Sequence, residues 1–107
     1  MQASVAHDSL DRLLRFAIEN RRLIELGYHN SVRVAEPHDY GVYKGTERLL
    51  AFQLRDSVHA PPQAVGWRLF NTSEIQECFV LEKGFSGSRG RLHQSHLVWD
   101  VVFVRVV

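Results

Sequence analysis

An aromatic ring, an imidazole and a guanidinium lie close together in the stretch 23–41, LIELGYHNSVRVAEPHDYG. The alternation of apolar and polar residues predicts two β-strands, and residues 29–31 have the types found in a tight turn. A hairpin with so short a turn brings Tyr28 near Arg33. A guanidinium offers a planar fork of donors and a phenol offers a stacking face, so the pair suits an anionic or aromatic ligand. The alternative is that Tyr28 covers a core and Arg33 lies on a solvated face.

Other kinds of chemistry have weaker support in the sequence. We find no carboxylate pair, glycine-rich phosphate loop, Ser or Cys nucleophile motif or metal-ligand cluster, which argues against an enzyme. A small enzyme acting on a phosphorylated substrate, with His29 or His38 as its base, is kept as the alternative. His93 and His96 could share a metal on a helix, but Gly90 before them and the β-branched run after them argue against a helix, and no third ligand lies nearby in the sequence. We therefore expect no catalytic residue, metal site or cofactor.

Length and composition bound the remaining possibilities. The chain has 107 residues, which predicts one domain, and its hydrophobic content of 45% is ordinary for a globular protein. A net charge of +1 gives no broad electrostatic case for binding duplex DNA. The single cysteine, Cys78, excludes an internal disulfide and is expected to act as a small core hydrophobe.

The predicted elements are one helix followed by short strands. Apolar residues at Leu10, Leu13, Leu14, Ala17 and Ile18 form a single helical stripe that should pack on a sheet. The second strand of the hairpin is expected to end at Pro37, because proline cannot donate to the ladder. Further strands are predicted at 47–55, which is apolar on both sides and therefore central, and at 64–70 and 77–81, with a single turn at 71–74 between the last two. This order predicts a mainly β fold with one N-terminal helix, as a small, strongly bent antiparallel barrel.

The same pieces, in this order, resemble the WYL domain, an Sm/SH3-like β-barrel found in bacterial regulators. The matching motifs are the aliphatic residues of the strand that ends at Tyr28, then Arg33-x-x-x-Pro37, then Arg68-x-Phe70 followed by Ile75. The resemblance covers residues 10–85. Where the triplet that names the family would fall, this chain has Arg48, Leu49 and Leu50, so only the leucine is kept.

The resemblance implies a single domain over 1–107 that senses a ligand without catalysis. WYL domains are thought to bind a nucleotide or a nucleic-acid ligand in a basic pocket and to signal to an attached effector. Carried over to this sequence, the pocket residues are Tyr28, Arg33 and Arg68, with His29 beside them. Strand alternation points Arg68 away from Trp67, so both arginines are expected to avoid the apolar sides of their strands. They could then bind a phosphate of a nucleotide or of single-stranded nucleic acid while Tyr28 stacks a base.

Family members usually carry a DNA-binding domain before this one. Only about nine residues precede the first helix here, so we expect a DNA-binding or effector protein as a separate partner. No signal peptide is recognisable, and no apolar run reaches the roughly 18 residues of a membrane span. The expected location is cytoplasmic, with no membrane contact.

The end of the chain suggests a role in assembly. After a flexible basic loop predicted at 86–96, residues 97–107 (LVWDVVFVRVV) read as an extra strand that is apolar on both sides. An open edge of this kind invites pairing with another chain. We expect a homodimer built through this strand. The alternatives are a partner protein that covers the strand, a fold in which it pairs within one chain, or a pure assembly module that acts through it.

Overall fold

A computed structural model of the chain describes residues 7–90, 93 and 97–107. Within these ranges there are one α-helix, one 3₁₀ turn and six strands. They are α1 (His7–Glu19), β1 (Arg22–Tyr28), β2 (Ser31–Tyr43), β3 (Thr46–Asp56), β4 (Gly66–Asn71), the 3₁₀ turn (Thr72–Glu74), β5 (Ile75–Gly84) and β6 (Val101–Arg105). The prediction of a mainly β fold with one N-terminal helix is confirmed. The strands form an antiparallel sheet that is not closed into a barrel.

The helix packs on the sheet through the predicted apolar stripe. Leu10, Leu14, Ala17 and Ile18 are buried, and Leu13 lies at the margin of the same core. Their partners from the sheet include Leu49 and Phe70. Since only one side of α1 is apolar, the helix covers the sheet from one side and leaves its polar side in water.

Strands β1 and β2 form the predicted hairpin. His29 and Asn30 have positive φ angles of 48° and 64°, the backbone of a two-residue turn that suits the twist of a hairpin. The full sheet order is β4-β3-β2-β1-β5, with β6 also paired to β2. Strand β3 therefore lies inside the sheet, as its two apolar sides predicted.

The prediction that the second strand ends at Pro37 is wrong. Strand β2 continues through Pro37 to Tyr43, with an irregular register opposite β3 between Pro37 and Asp39. Along its other edge, β2 pairs with β1 through residues 31–35 and with β6 through residues 39–42. Pro37 falls in the interval between these two partners, where that edge needs no backbone donor.

The register defines two faces of the sheet. The inner face, toward α1, carries Tyr40, Leu49 and Phe70 in one row and Pro37, Ala51 and Arg68 in the next. The outer face carries two corresponding rows. These are Glu36, Phe52 and Trp67, then Asp39, Leu50 and Leu69. Residues paired across antiparallel strands share a face, so these rows fix which side chains can meet.

The last strand folds back within the chain. β6 pairs with β2, Phe103 packs edge-on against Tyr40 at a ring-centroid distance of 5.1 Å, and Val106 is buried. Of the arrangements expected for this strand, pairing within one chain is therefore the one found at the edge of β6 that faces β2. Several valines of the segment remain exposed, namely Val98, Val101, Val102 and Val107.

Two further predictions concern the rest of the chain. The loop predicted at 86–96 lies partly outside the described residues, but Ser86–Gly90 and His93 are described, and Arg89 and His93 contact the outer face. Within the described ranges, no helix combines the length and the apolar character needed to cross a membrane.

Candidate functional site

Tyr28 and Arg33 lie together, as the hairpin predicted. The Arg33 guanidinium carbon is 5.3 Å from the centroid of the Tyr28 ring. Tyr28 itself is buried, its ring edge-on to Phe70 at 4.8 Å, and its hydroxyl accepts a hydrogen bond of 3.0 Å from the Asn71 backbone N–H. The ring thus closes one end of the core and has little surface free for a ligand.

The guanidinium of Arg33 is engaged by the protein itself. Its Nε donates to Ser31 Oγ at 2.8 Å, and its two terminal nitrogens donate to Gln53 Oε1 at 3.3 Å and to the Tyr28 carbonyl at 3.4 Å. Asp56 lies 3.9 Å away, and the Arg33 side chain is only 14% exposed. This is the environment of an arginine that holds two strands and a hairpin turn together.

Arg68 is less enclosed. It donates to the Trp67 carbonyl at 3.0 Å and to the Gln63 carbonyl at 2.6 Å, and the residue is half-buried. Among the described residues it forms no ion pair, so its charge is balanced only by neutral carbonyl groups.

The prediction that both arginines avoid the apolar sides of their strands is wrong. Arg68 pairs with Ala51 and Arg33 pairs with Leu26, and both partners belong to the core. The apolar alternation of β4 misled the sequence argument, because Trp67 faces outward while Phe70 enters the core. Oxygen acceptors on the inner face satisfy both guanidinium groups, which is what a charged group needs beside a core.

The inner face connects the two arginines. Gln53 accepts from Arg33 and donates through Nε2 to the Ala64 carbonyl at 2.7 Å, while Arg68 reaches the adjacent Gln63 carbonyl. The guanidinium groups therefore share one side of the sheet and one loop segment. The two arginines thus lie on the same side of the sheet.

His29 lies at the exposed end of this group. Its ring stacks on Tyr28 with centroids 4.1 Å apart and an angle of 22°, and its side chain is 58% exposed. Its Nε2 is hydrogen-bonded to the Glu74 carboxyl group. One ring face of His29 is thus backed by Tyr28, and the imidazole as a whole is open to water.

A second polar group, which the sequence argument missed, lies on the other side of the sheet. We call it the outer-face cluster. It consists of Glu36, His38, Asp39, Trp67, Arg89, His93 and Arg105. Arg89 binds both carboxylate oxygens of Glu36, at 2.7 and 3.0 Å, and its guanidinium carbon lies 3.6 Å from the centroid of the Phe52 ring. This contact attaches the segment after β5 to the sheet.

Asp39 is the centre of the outer-face cluster. Its side chain is 2% exposed, and Arg105 binds both of its oxygens, at 3.0 and 3.3 Å. His93 Nε2 lies 3.0 Å from the same carboxylate. A buried carboxylate requires this amount of compensation, and both partners come from segments more than 50 residues away in the chain.

His38 is fully buried beside this carboxylate. Burial lowers the pKa of His38, against the opposing effect of its hydrogen bond to the Glu36 carbonyl, so the imidazole is held in its neutral form. Its Nδ1 donates to that carbonyl at 2.9 Å, and its Nε2 has no partner in the described part of the chain. The ring meets Trp67 edge-on at 4.8 Å and His93 edge-on at 4.9 Å.

Sequence reasoning had only a partial signal for this cluster. His38 is the candidate base of the enzyme alternative, but the other residues of the cluster are spread over β2, β4, the segment after β5, and β6. No short motif links residues so far apart. Cys78 behaves as predicted: it is buried, and burial raises the pKa of its thiol to about 12, so it is a core residue.

No group of three or more His, Cys, Asp or Glu side chains suited to a metal is present within 7–90, 93 and 97–107. Comparison with protein-family models, curated proteins and solved structures finds no match to this chain.

Proposed function

We propose that this chain is a regulatory domain that binds a nucleotide or single-stranded nucleic acid on the inner face of its sheet, without catalysis at that site. The ligand contacts are Arg68 and His29, while Tyr28 and Arg33 lie behind them and hold them in place. A DNA-binding or effector protein in the cytoplasm would receive the signal. This is the function that the resemblance to the WYL domain implies, with the roles of the four residues divided according to their burial.

The observation that carries this proposal is the unpaired charge of Arg68. A guanidinium whose described partners are all carbonyl groups keeps most of its attraction for an anion, and it has donors in a planar fork that suits phosphate. The exposed His29 ring offers a stacking face of the kind that accepts any base.

The fold gives the proposal further support. One helix followed by five antiparallel strands is the order of elements on which the resemblance to an Sm/SH3-like domain rests, although the sheet is not closed into a barrel. We propose that the domain is of this kind, with β6 as an addition paired to the second half of β2.

Replacing Arg68 with alanine is expected to weaken the binding of a labelled oligothymidylate and to make it less sensitive to salt. Each lost phosphate contact lowers the slope of log K against log salt by about 0.7 for single strands. Fluorescence anisotropy at low and moderate salt measures both quantities. Arg12→Ala, which removes an exposed arginine of α1, is the matched control and should leave the slope unchanged.

Equal affinity and equal slope for wild type and Arg68→Ala would remove Arg68 from the site. His29→Ala tests the stacking contact separately, with an expected loss of about 1 kcal/mol, the lower end for a base stacked on an aromatic ring. Loss of binding in both variants while their melting temperatures stay at the wild-type value would support one shared surface.

We also propose that two copies pair through the outer edge of β6. Among the described residues β6 pairs only with β2, so its other edge carries free backbone groups beside Val101 and Val102, both exposed. A second β6 would satisfy that edge in a two-fold arrangement.

Val101→Lys is therefore expected to convert a dimer into a monomer, because a lysine on an edge strand discourages pairing. Light scattering coupled to size-exclusion chromatography measures the mass. Val58→Lys adds the same charge at another exposed valine, in the loop after β3, and should leave the dimer intact. A wild-type chain that stays monomeric at high concentration would contradict the dimer.

A further inference from the structure

Three residues of the outer face form a linear hydrogen-bonded chain. Ser88 Oγ lies 3.1 Å from His93 Nδ1, and His93 Nε2 lies 3.0 Å from Asp39 Oδ2. A hydroxyl next to an imidazole that is held by a third group is the arrangement that activates a serine as a nucleophile. The two ring nitrogens are used in the order opposite to that of the familiar serine proteases, and the roles are the same.

Asp39 decides which nitrogen of His93 carries the proton. A carboxylate only accepts hydrogen bonds, so Nε2 is the donor, and in the neutral ring Nδ1 has a lone pair for the Ser88 hydroxyl. Arg105 binds the Asp39 carboxylate at two points and fixes its orientation. In its neutral form, the His93 ring therefore has the tautomer that a general base requires.

His93 is also held rigidly. Its ring is parallel to Trp67 within 12°, with centroids 5.5 Å apart, and its side chain is 11% exposed. The edge-on contact with the fully buried His38 fixes a second side of the ring. Packing on these sides keeps Nδ1 directed at Ser88.

The nucleophile, by contrast, is accessible. Ser88 is exposed, and a cavity of about 240 Å³ adjoins its partner His93, lined by Asp39, Gly90, His93, Leu97 and Arg105. The Gly90 backbone N–H donates to Ser88 Oγ at 3.2 Å, a local contact that fixes the position of the hydroxyl. Arg105, with 51% of its side chain exposed, has N–H groups beyond the two that bind Asp39.

We propose that Ser88, His93 and Asp39 form a proton relay that makes Ser88 a nucleophile toward small esters. Ser88 Oγ bonds to the acyl carbon as its proton passes to His93 Nδ1, and the ester C–O bond breaks as that proton passes to the leaving alkoxide. Water, deprotonated by the same nitrogen, then releases the acid and restores Ser88. The relay lies on the outer face and does not depend on the ligand surface proposed for the inner face.

The test uses the whole chain and two probes, p-nitrophenyl acetate and phenylmethanesulfonyl fluoride. Wild type should hydrolyse the acetate, and Ser88→Ala should lower the protein-catalysed rate by about 100-fold, the lower range for a positioned general base and its nucleophile. Ser86→Ala removes another exposed serine from the same segment and should keep the wild-type rate. Thermal melts of both variants report whether the fold is kept.

The sulfonyl fluoride locates the nucleophile in the wild-type chain without any substitution. We expect one sulfonyl group per chain, on Ser88 by peptide mass mapping, with loss of esterase activity and unchanged oligonucleotide binding. Labelling at another residue, absence of labelling, or equal hydrolysis rates for Ser88→Ala and Ser86→Ala would each overturn the proposal.

Discussion

Gly41→Ala is expected to lower the free energy of unfolding by about 3 kcal/mol, the upper part of the usual range for overpacking. Strands β2 and β6 cross closely at this position. A Cβ built on Gly41 overlaps the Val101 carbonyl oxygen and lies 2.9 Å from the Val102 Cα. Both neighbours are backbone atoms, so no side-chain rotation can relieve the overlap, and β6 must move away from β2.

The melting temperature is the direct measurement of this effect. For a domain of this size, a change of 3 kcal/mol corresponds to a fall of roughly 12–24 °C. Gly27→Ala is the matched control, since its Cβ meets the Glu77 backbone nitrogen at 3.7 Å, an ordinary contact, in a strand of the same sheet. If the two variants melt together, β6 does not pack on β2 as described.

Arg33→Ala is expected to cost about 3 kcal/mol in stability, because a lost charged hydrogen bond and a buried group left without a partner each contribute about 1–3 kcal/mol. The substitution leaves Oε1 of the fully buried Gln53 without its donor and removes a cation from Asp56. The pKa of Asp56 lies below its ordinary value mainly because the Val58 N–H binds the carboxylate, with His59 and Arg33 adding to the effect. Asp56 thus stays ionised, so removing the Arg33 cation takes away a favourable electrostatic interaction and lowers the free energy of unfolding.

Urea denaturation measures the free energies of unfolding of Arg33→Ala and of Arg55→Ala, and each is compared with that of the wild type. Arg55 is the exposed neighbour of Asp56 on β3, and its removal should change stability by less than about 0.5 kcal/mol. Arg33 would instead be a direct ligand contact if Arg33→Ala kept wild-type stability and lost oligonucleotide binding. The same pair of measurements therefore separates a positioning role from a binding role.

Local patterns in the sequence were sufficient for the elements whose signals lie within a few residues. The stripe from Leu10 to Ile18 determined α1 and its buried side, because a 3.6-residue period leaves one side of a helix apolar. The types at 29–31 determined the hairpin turn. Asn71 determined the 3₁₀ turn, since its side chain accepts from the Ser73 N–H as a cap does. In each case the deciding contacts are close in sequence.

The sequence was misleading where an element depends on its neighbours in space. Pro37 signals the end of a strand, and only the order of β1, β2 and β6 shows that the proline lies between two partners. The side of the sheet that Arg68 occupies was inferred from Trp67, a large aromatic residue that faces away from the core. The apolar alternation of a strand cannot distinguish two faces when both carry large side chains.

The outer-face cluster was decided by tertiary structure alone. Ser88 and His93 are five residues apart in the segment after β5, but His93 and Asp39 are 54 residues apart and meet only because that segment folds onto the outer face. Hydrogen bonds between distant side chains have no period or spacing that a sequence can show. The folded sheet brings a buried carboxylate, a packed imidazole and an exposed hydroxyl to one place, and that proximity is the physical basis of the relay.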